Sequence, residues 1–237
     1  MKLRELEVGA KVILGSYSVN GQNPEPITWL KIGHNDLFIS EHILEQMAYD
    51  SMEGSAPHGN TSYPLSNLRQ FLNSYGDSWF SKTHEGDEPP ESKDDICGFL
   101  TYFSEDEIKC LFLHPETDDL ISIPSVGELG TGMRKECGAT KELSLHTRHR
   151  NDIPSEYAWW YWVRDDHRND EVRCVNREGL YTTLSAKDSG VGVRPIIVID
   201  PESEVEFYDA EKLWKVVVKD NLILDVSDED LFKILNM

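Results

Sequence analysis

The side chains best suited to contact or chemistry fall in one stretch. Trp159-Trp160-Tyr161-Trp162-Val163-Arg164 runs into a charged turn with Asp165, Asp166, His167 and Arg168. Trp and Tyr bury large areas with few torsions, so they anchor interfaces. Along a strand successive side chains point to opposite faces, so alternate members of such a run also fill a core. Trp160 and Trp162 are assigned to the core, while Trp159 and Tyr161 are divided between core and contact surface. Arg164 and Arg194 flank this unit. An arginine at the end of a buried strand satisfies a carboxylate or carbonyls inside the fold. In the alternative reading Arg164, His167 and Arg168 join Trp159 and Tyr161 in holding a protein partner. Around them lies the one basic zone of the chain, His146, Arg148, His149, Arg150, Arg173 and Arg177. It either pairs with the chain's own carboxylates or holds an anion.

A second candidate surface has the opposite sign. Residues 82–95 are polar, contain Pro89-Pro90, and carry Asp87, Glu88, Glu91, Asp94 and Asp95. Pro pairs among polar residues mark an exposed loop. Carboxylates grouped on such a loop can imitate the phosphates of a nucleic acid toward a basic protein.

No spacing supports catalysis. The histidines are dispersed, and Asp and Glu are too abundant for any pair to be a signal. Gly127–Gly132 lacks a following Lys-Ser or Lys-Thr, and Gly190-Val191-Gly192 precedes a strand instead of a helix, so neither is a phosphate loop. Cys97, Cys110, Cys137 and Cys174 form no short-spaced pair of the kind structural zinc requires. The expectation is no catalytic residue, no metal and no cofactor.

Composition agrees with a folded binder. The chain has 237 residues, 39% hydrophobic and 10% aromatic, enough apolar surface to offset ordering entropy. With 43 acidic against 23 basic residues the net charge is −20. That charge favours solubility and basic partners and disfavours direct contact with nucleic acid. The charged start Met1–Glu7 predicts no secretory signal, and no apolar run approaches a membrane span. Both point to a cytoplasmic protein with reduced thiols.

The elements that must position these residues are mostly strands. Val12–Leu14, Ile27–Ile32 and Leu37–Ser40 are apolar runs separated by Gly, Asn, Asp and Pro, which predicts hairpins. Leu65, Leu68, Phe71 and Leu72 share one face of a helix over Ser66–Asn73, capped by Ser66 or Asn67. Trp79-Phe80 is placed beneath it. Ser104 with Glu107 three residues on is a capping box. Leu120–Ile123 reads as a strand, with Ser125–Leu129 as a turn or short helix. Arg173–Asn176 and Gly179–Leu184 form a hairpin, and Gly190–Ile199 a closing core strand. Past Pro201 two further strands, Trp214–Val218 and Leu222–Val226, and a helix over Asp228–Leu235 make an acidic extension. The predicted organisation is one domain over 1–200, with insertions near 82–95 and 130–152, followed by the extension 201–237.

The order of these pieces resembles a family of uncharacterised bacterial and phage domains. The shared residues are the aromatic strand Trp159-Trp160-Tyr161-Trp162-Val163-Arg164, Val175-Asn176 with Gly179, Gly192-Val193-Arg194-Pro195, and the element over Leu120–Leu129. Ser66-Leu68-Arg69-Leu72-Asn73 and the opening hairpin around Trp29 and Phe38 match too, so the likeness spans about 6–199. The closing pattern is similar to C-type-lectin-like folds, including relatives of the formylglycine-generating enzyme. The resemblance implies an α+β fold of mixed, mainly antiparallel sheets with a few short helices and long loops. Two features of those relatives are missing. The Glu-Pro-Asn and Trp-Asn-Asp triplets of calcium-dependent lectins do not occur, and only Cys174 lies where the oxidase carries its reactive cysteine pair. Neither calcium-dependent sugar binding nor that oxidation is expected.

The function so implied is a non-enzymatic protein-binding module from a phage or prophage. It would block a host protein, for example a basic nucleic-acid-binding one. A virion or tail component, forming homo-oligomers, is one alternative, and a metal- or cofactor-dependent enzyme is another.

Overall fold

A computed structural model describes residues 1–17, 24–33, 36–50, 61–76, 97–130, 159–167, 171–208 and 213–218. Thirteen strands and three helices of four to six residues lie among them. The first sheet is built from β1 (Lys11–Tyr17), β2 (Glu25–Lys31), β3 (Leu37–Ser40), β5 (Leu111–Phe112), β6 (Ile121–Ser122), β11 (Ile196–Ile199), β12 (Val205–Tyr208) and β13 (Leu213–Val216). Its order is β12-β13-β1-β2-β3-β11-β5, with β6 also on β11, and it curls into a half-barrel. The second sheet runs β4-β10-β7-β8-β9, from β4 (Glu45–Gln46), β10 (Gly192–Val193), β7 (Tyr161–Asp166), β8 (Glu171–Val175) and β9 (Tyr181–Ser185). Pairing is antiparallel except β1 with β13 and β7 with β10.

The expected α+β, C-type-lectin-like architecture is therefore corrected to a mainly β one. A helix contributes a layer only when it is long enough to present an apolar stripe. Here α1 (Asn67–Leu72), α2 (Glu105–Ile108) and α3 (Val126–Leu129) are one or two turns each, held by their caps. The helical spacing read at Leu65, Leu68, Phe71 and Leu72 holds for the last three, buried in α1, whereas Leu65 lies in the preceding 3-10 turn and is half exposed. The core is drawn from both sheets and from the short helices, Leu68, Phe71, Leu72 and Phe99 among them.

The hairpins are where turn chemistry places them. β2 and β3 pair with Trp29 opposite Ser40 and Lys31 opposite Phe38. β8 and β9 are joined by a turn in which Asn176 Oδ1 accepts the amides of Glu178 and Leu180. β1 carries one extra residue between Ile13 and Ser16 relative to β2. Gly15 sits in that bulge at φ +77°, with its N–H on Glu107 Oε1 at 2.9 Å.

The predicted single strand over Gly190–Ile199 is two strands in different sheets. Pro195 has no N–H to donate to a ladder, so pairing stops there. β10 ends in the second sheet, and β11 begins in the first. Arg194 at the crossing is fully buried. It donates to the Ser40 carbonyl from Nη2 at 2.6 Å and Nε at 3.2 Å, and to the Glu41 carbonyl at 2.9 Å. Its guanidinium lies 5.1 Å over the Tyr161 ring. One side chain thus ties β3 of the first sheet to β7 of the second.

Just before it, Gly192 is packed too tightly for any side chain. A Cβ there would lie 2.6 Å from Ile43 Cδ1 and 2.8 Å from the Trp160 carbonyl, which belongs to the backbone and cannot swing away. Gly192→Ala is expected to destabilise by about 2 kcal/mol through overpacking. Urea unfolding measures this, and a change within about 0.5 kcal/mol would contradict it.

The segment after Pro201 joins the first sheet. β12 was not expected from the sequence, whereas β13 falls on the run at Trp214. β13 pairs in parallel with β1 through Val12 and Trp214, and Phe207 packs on Trp214 at 4.9 Å. The expected elements at Leu222–Val226 and Asp228–Leu235, and Trp79-Phe80, lie outside the described residues. Among the described residues no helix is long and apolar enough to cross a membrane.

Candidate functional site

The site grows from Arg164. Between Trp162 and Asp166 the register of β7 against β8 slips, so that β7 carries two more residues than its partner. A bulge re-aims side chains. Trp162 points into the main core, with Nε1 donating to the Met47 carbonyl at 3.0 Å. Val163 joins the smaller core, and Arg164 swings out toward the loop 114–119 and α3. Its Nη1 and Nη2 straddle the Glu128 carboxylate at 2.6 and 2.7 Å, Nη1 also reaches the Ile123 carbonyl at 2.8 Å, and Nη2 bonds Glu116.

Glu128 owes its position to α3. Its backbone N–H donates to Ser125 Oγ at 3.2 Å, and its Oε2 accepts the Ser125 N–H at 2.7 Å, a capping box. Its Oε1 also faces buried His114 Nε2 at 2.8 Å. The Glu116 N–H donates to His114 Nδ1 at 3.3 Å, which leaves Nε2 as the protonated ring nitrogen and the donor to Glu128. The carboxylate therefore receives four hydrogen bonds. Burial pushes its pKa up, but the bonds from His114, Arg164 and the Ser125 amide outweigh that and hold it at about 2.

A parallel unit stands on α1. Ser66 caps the helix by accepting the Arg69 N–H at 3.1 Å. Arg69 then grips buried Asp119 from Nε at 2.9 Å and Nη2 at 2.7 Å. One turn on, Asn73 bonds the Ile121 carbonyl at 2.8 Å and accepts its N–H at 3.1 Å, imitating a neighbouring strand. These are the polar members of the Ser66–Asn73 motif, and they clamp the loop 114–121 against the helix.

Between the two units opens a cleft of about 560 Å³. Its lining includes Tyr63, Arg69, Glu116, Thr117, Arg164, Asp165, Asp166 and Arg173. Asp165 is anchored by the Val126 N–H at 2.6 Å, while Asp166 is exposed. Arg69 and Arg164 are each held by a carboxylate behind them. Arg173 makes no ion pair among the described residues. No three His, Cys, Asp or Glu among the described residues are grouped to hold a metal ion.

The sequence candidates separate. Arg164 is the pivot of the site, and His167 is exposed one residue beyond β7. Trp159 and Tyr161 are interior, at 5% and 1% exposure. Trp159 Nε1 donates to the Gly190 carbonyl at 2.7 Å, Trp160 stacks on its ring, and the Arg177 guanidinium lies 4.1 Å from its centroid. The surface over that ring belongs to Arg177. Arg168, the acidic group Asp87, Glu88, Glu91, Asp94 and Asp95, and the basic group His146, Arg148, His149 and Arg150 lie outside the described residues. His114, Glu116, Asp119 and Glu128 were missed. The one available signal was the second capping-box spacing, Ser125 with Glu128. Cys174 is buried in β8, and burial with Asp188 nearby pushes its thiol up to about 12, far from a reactive thiolate.

Fold and site together define a mainly β domain with an open cleft in which Arg69 and Arg164 are paired with carboxylates behind them. The chain belongs to the DUF6273 family, a domain of unknown function, which it matches over residues 34–201. That span contains the whole cleft and leaves β1, β2, β12 and β13 outside. No curated protein and no solved structure matches the chain.

Proposed function

We propose that this chain is a non-catalytic protein-binding module that holds a basic partner. The observation that carries the reading is the saturation of the groups that would otherwise do chemistry. A general base needs a pKa near the working pH and a free lone pair. Glu128 titrates at about 2 and has its oxygens filled by His114, Arg164 and Ser125, while both nitrogens of His114 are engaged. Such a network fixes a surface in place. The net charge of −20 selects a partner of opposite sign and speeds its approach. In its finer form the reading is a phage-derived inhibitor that occupies the nucleic-acid-binding surface of a host protein.

The test is affinity capture from a bacterial lysate, with bound proteins identified by mass spectrometry. The parent chain is compared with a Glu116→Gln/Asp166→Asn variant. A basic protein held by the parent at low salt and lost by the variant supports the reading. Retention of nothing at low salt, or of a partner indifferent to both salt and variant, overturns it.

A further inference from the structure

We propose that the cleft between α1 and the β7 bulge receives the guanidinium of an arginine side chain on the partner protein, which rests on the binding reading above. Three observations lead there. The first is the sign of the cleft. Arg69 and Arg164 are neutralised from behind by Asp119 and Glu128. What remains in the lining is Arg173 against Glu116, half-buried Asp165 and exposed Asp166, with the Glu116 side chain 66% exposed although Arg164 touches it.

The second is a polar atom with no partner. Tyr63 lines the cleft, is only 3% exposed, and its hydroxyl makes no hydrogen bond of ordinary geometry. It has a weak contact with the Ser122 hydroxyl, which itself donates to the Ile123 carbonyl at 3.3 Å. Thr117 Oγ1, in the same lining, is likewise buried and unpartnered. A buried hydroxyl that is poorly hydrogen-bonded costs about 1–3 kcal/mol, so both gain from a ligand that brings hydrogen-bonding groups into the cleft. Burial and the nearby Asp119 raise the Tyr63 phenol above its ordinary value, so it meets the ligand as a neutral acceptor and donor.

The third is spacing. Glu116 sits on the 114–119 loop and Asp165 and Asp166 on β7, and they do not group as metal ligands do. The cleft, at about 560 Å³, is also far larger than a bare ion needs. A planar group with five N–H donors spans separated acceptors, whereas an ammonium is a point charge. Guanidinium fits this lining better than lysine.

Nuclear magnetic resonance of the whole protein, titrated with N-acetyl-argininamide, tests the assignment. N-acetyl-lysinamide and N-acetyl-citrullinamide are the controls, the latter matching arginine in shape without its charge. Saturable shifts at the amides of Tyr63, Thr117 and Asp166 are expected with arginine, weaker ones with lysine and none with citrulline. Asp166→Asn should weaken the arginine affinity about tenfold by removing one charge-assisted hydrogen bond, without lowering the unfolding temperature. Tyr63→Phe should weaken it as well, with the fold checked in the same spectra. Equal shifts from citrulline, shifts spread over the acidic surface, or no shift would overturn the assignment. If arginine fails here while a captured basic partner still binds in a salt-dependent way, only the cleft assignment falls. If capture fails too, the binding function falls with it.

Discussion

Glu128→Gln is expected to destabilise the protein by about 3 kcal/mol at neutral pH, and the loss should vanish in acid. The substitution keeps size and shape but removes the charge that Arg164 straddles and His114 supports. Taking one partner from a buried ion pair leaves the other uncompensated, which costs about 3–5 kcal/mol. The titration gives a second route to the magnitude. The carboxyl falls from 4.5 to about 2 on folding, worth about 3 kcal/mol. The sign follows from proton binding. Between those two values the unfolded chain binds the proton and the folded chain does not, so acid favours unfolding. The contribution of Glu128 is therefore complete above its ordinary pKa and disappears as pH falls toward 2. Urea unfolding of parent and variant at neutral pH and near pH 2 should show the difference shrinking toward zero. A constant difference, or one below about 1 kcal/mol at neutral pH, would mean the network does not hold the cleft.

Arg194→Met should cost about as much, for a different reason. The arginine has no exposed surface, and it satisfies the carbonyls of Ser40 and Glu41 where β3 ends. Methionine restores the volume but leaves those carbonyls without these donors, at about 1–3 kcal/mol for each group lost. The guanidinium over the Tyr161 ring is lost as well. A total near 3 kcal/mol lowers the unfolding temperature by about 10 °C in a chain of this size. Arg194→Lys should recover only part, because one ammonium cannot reproduce a planar fork that serves two carbonyls and a ring. Calorimetry decides it. A fall of under about 3 °C for Met, or full recovery by Lys, would show that the crossing between sheets does not depend on the guanidinium.

Local chemistry was legible in the sequence and long-range partnership was not. Ser66 and Ser104 announced their caps, and the turns at Gly33 and Asn176 announced their hairpins, because each depends on residues a few positions apart. The reading that Arg164 and Arg194 satisfy groups inside the fold came from type and position alone, and it describes what both do. Which groups they meet was out of reach: Glu128 lies 36 residues from Arg164, and Ser40 lies 154 from Arg194. The break at Pro195 was visible as a residue without an N–H, yet the apolar run on both sides concealed a change of sheet. The aromatic run was legible only in part. Its alternation was read as a strand with both faces partly buried, which is what the second sheet shows, but not which core each ring enters: Trp159 and Tyr161 face the smaller one and Trp162 the larger. β12 escaped because Glu206, Phe207 and Tyr208 are all exposed and only Val205 points inward, leaving no periodic signal.

The measurement that bears most directly on the central claim is the association rate of the captured partner against ionic strength. A chain of net charge −20 that recruits a basic protein must do so through long-range attraction. Raising salt shortens the screening length from about 10 Å at 0.1 M to about 3 Å at 1 M. The association rate should fall by about tenfold or more over that range, with dissociation much less affected. An association rate that stays flat, with salt acting on dissociation alone, would contradict it.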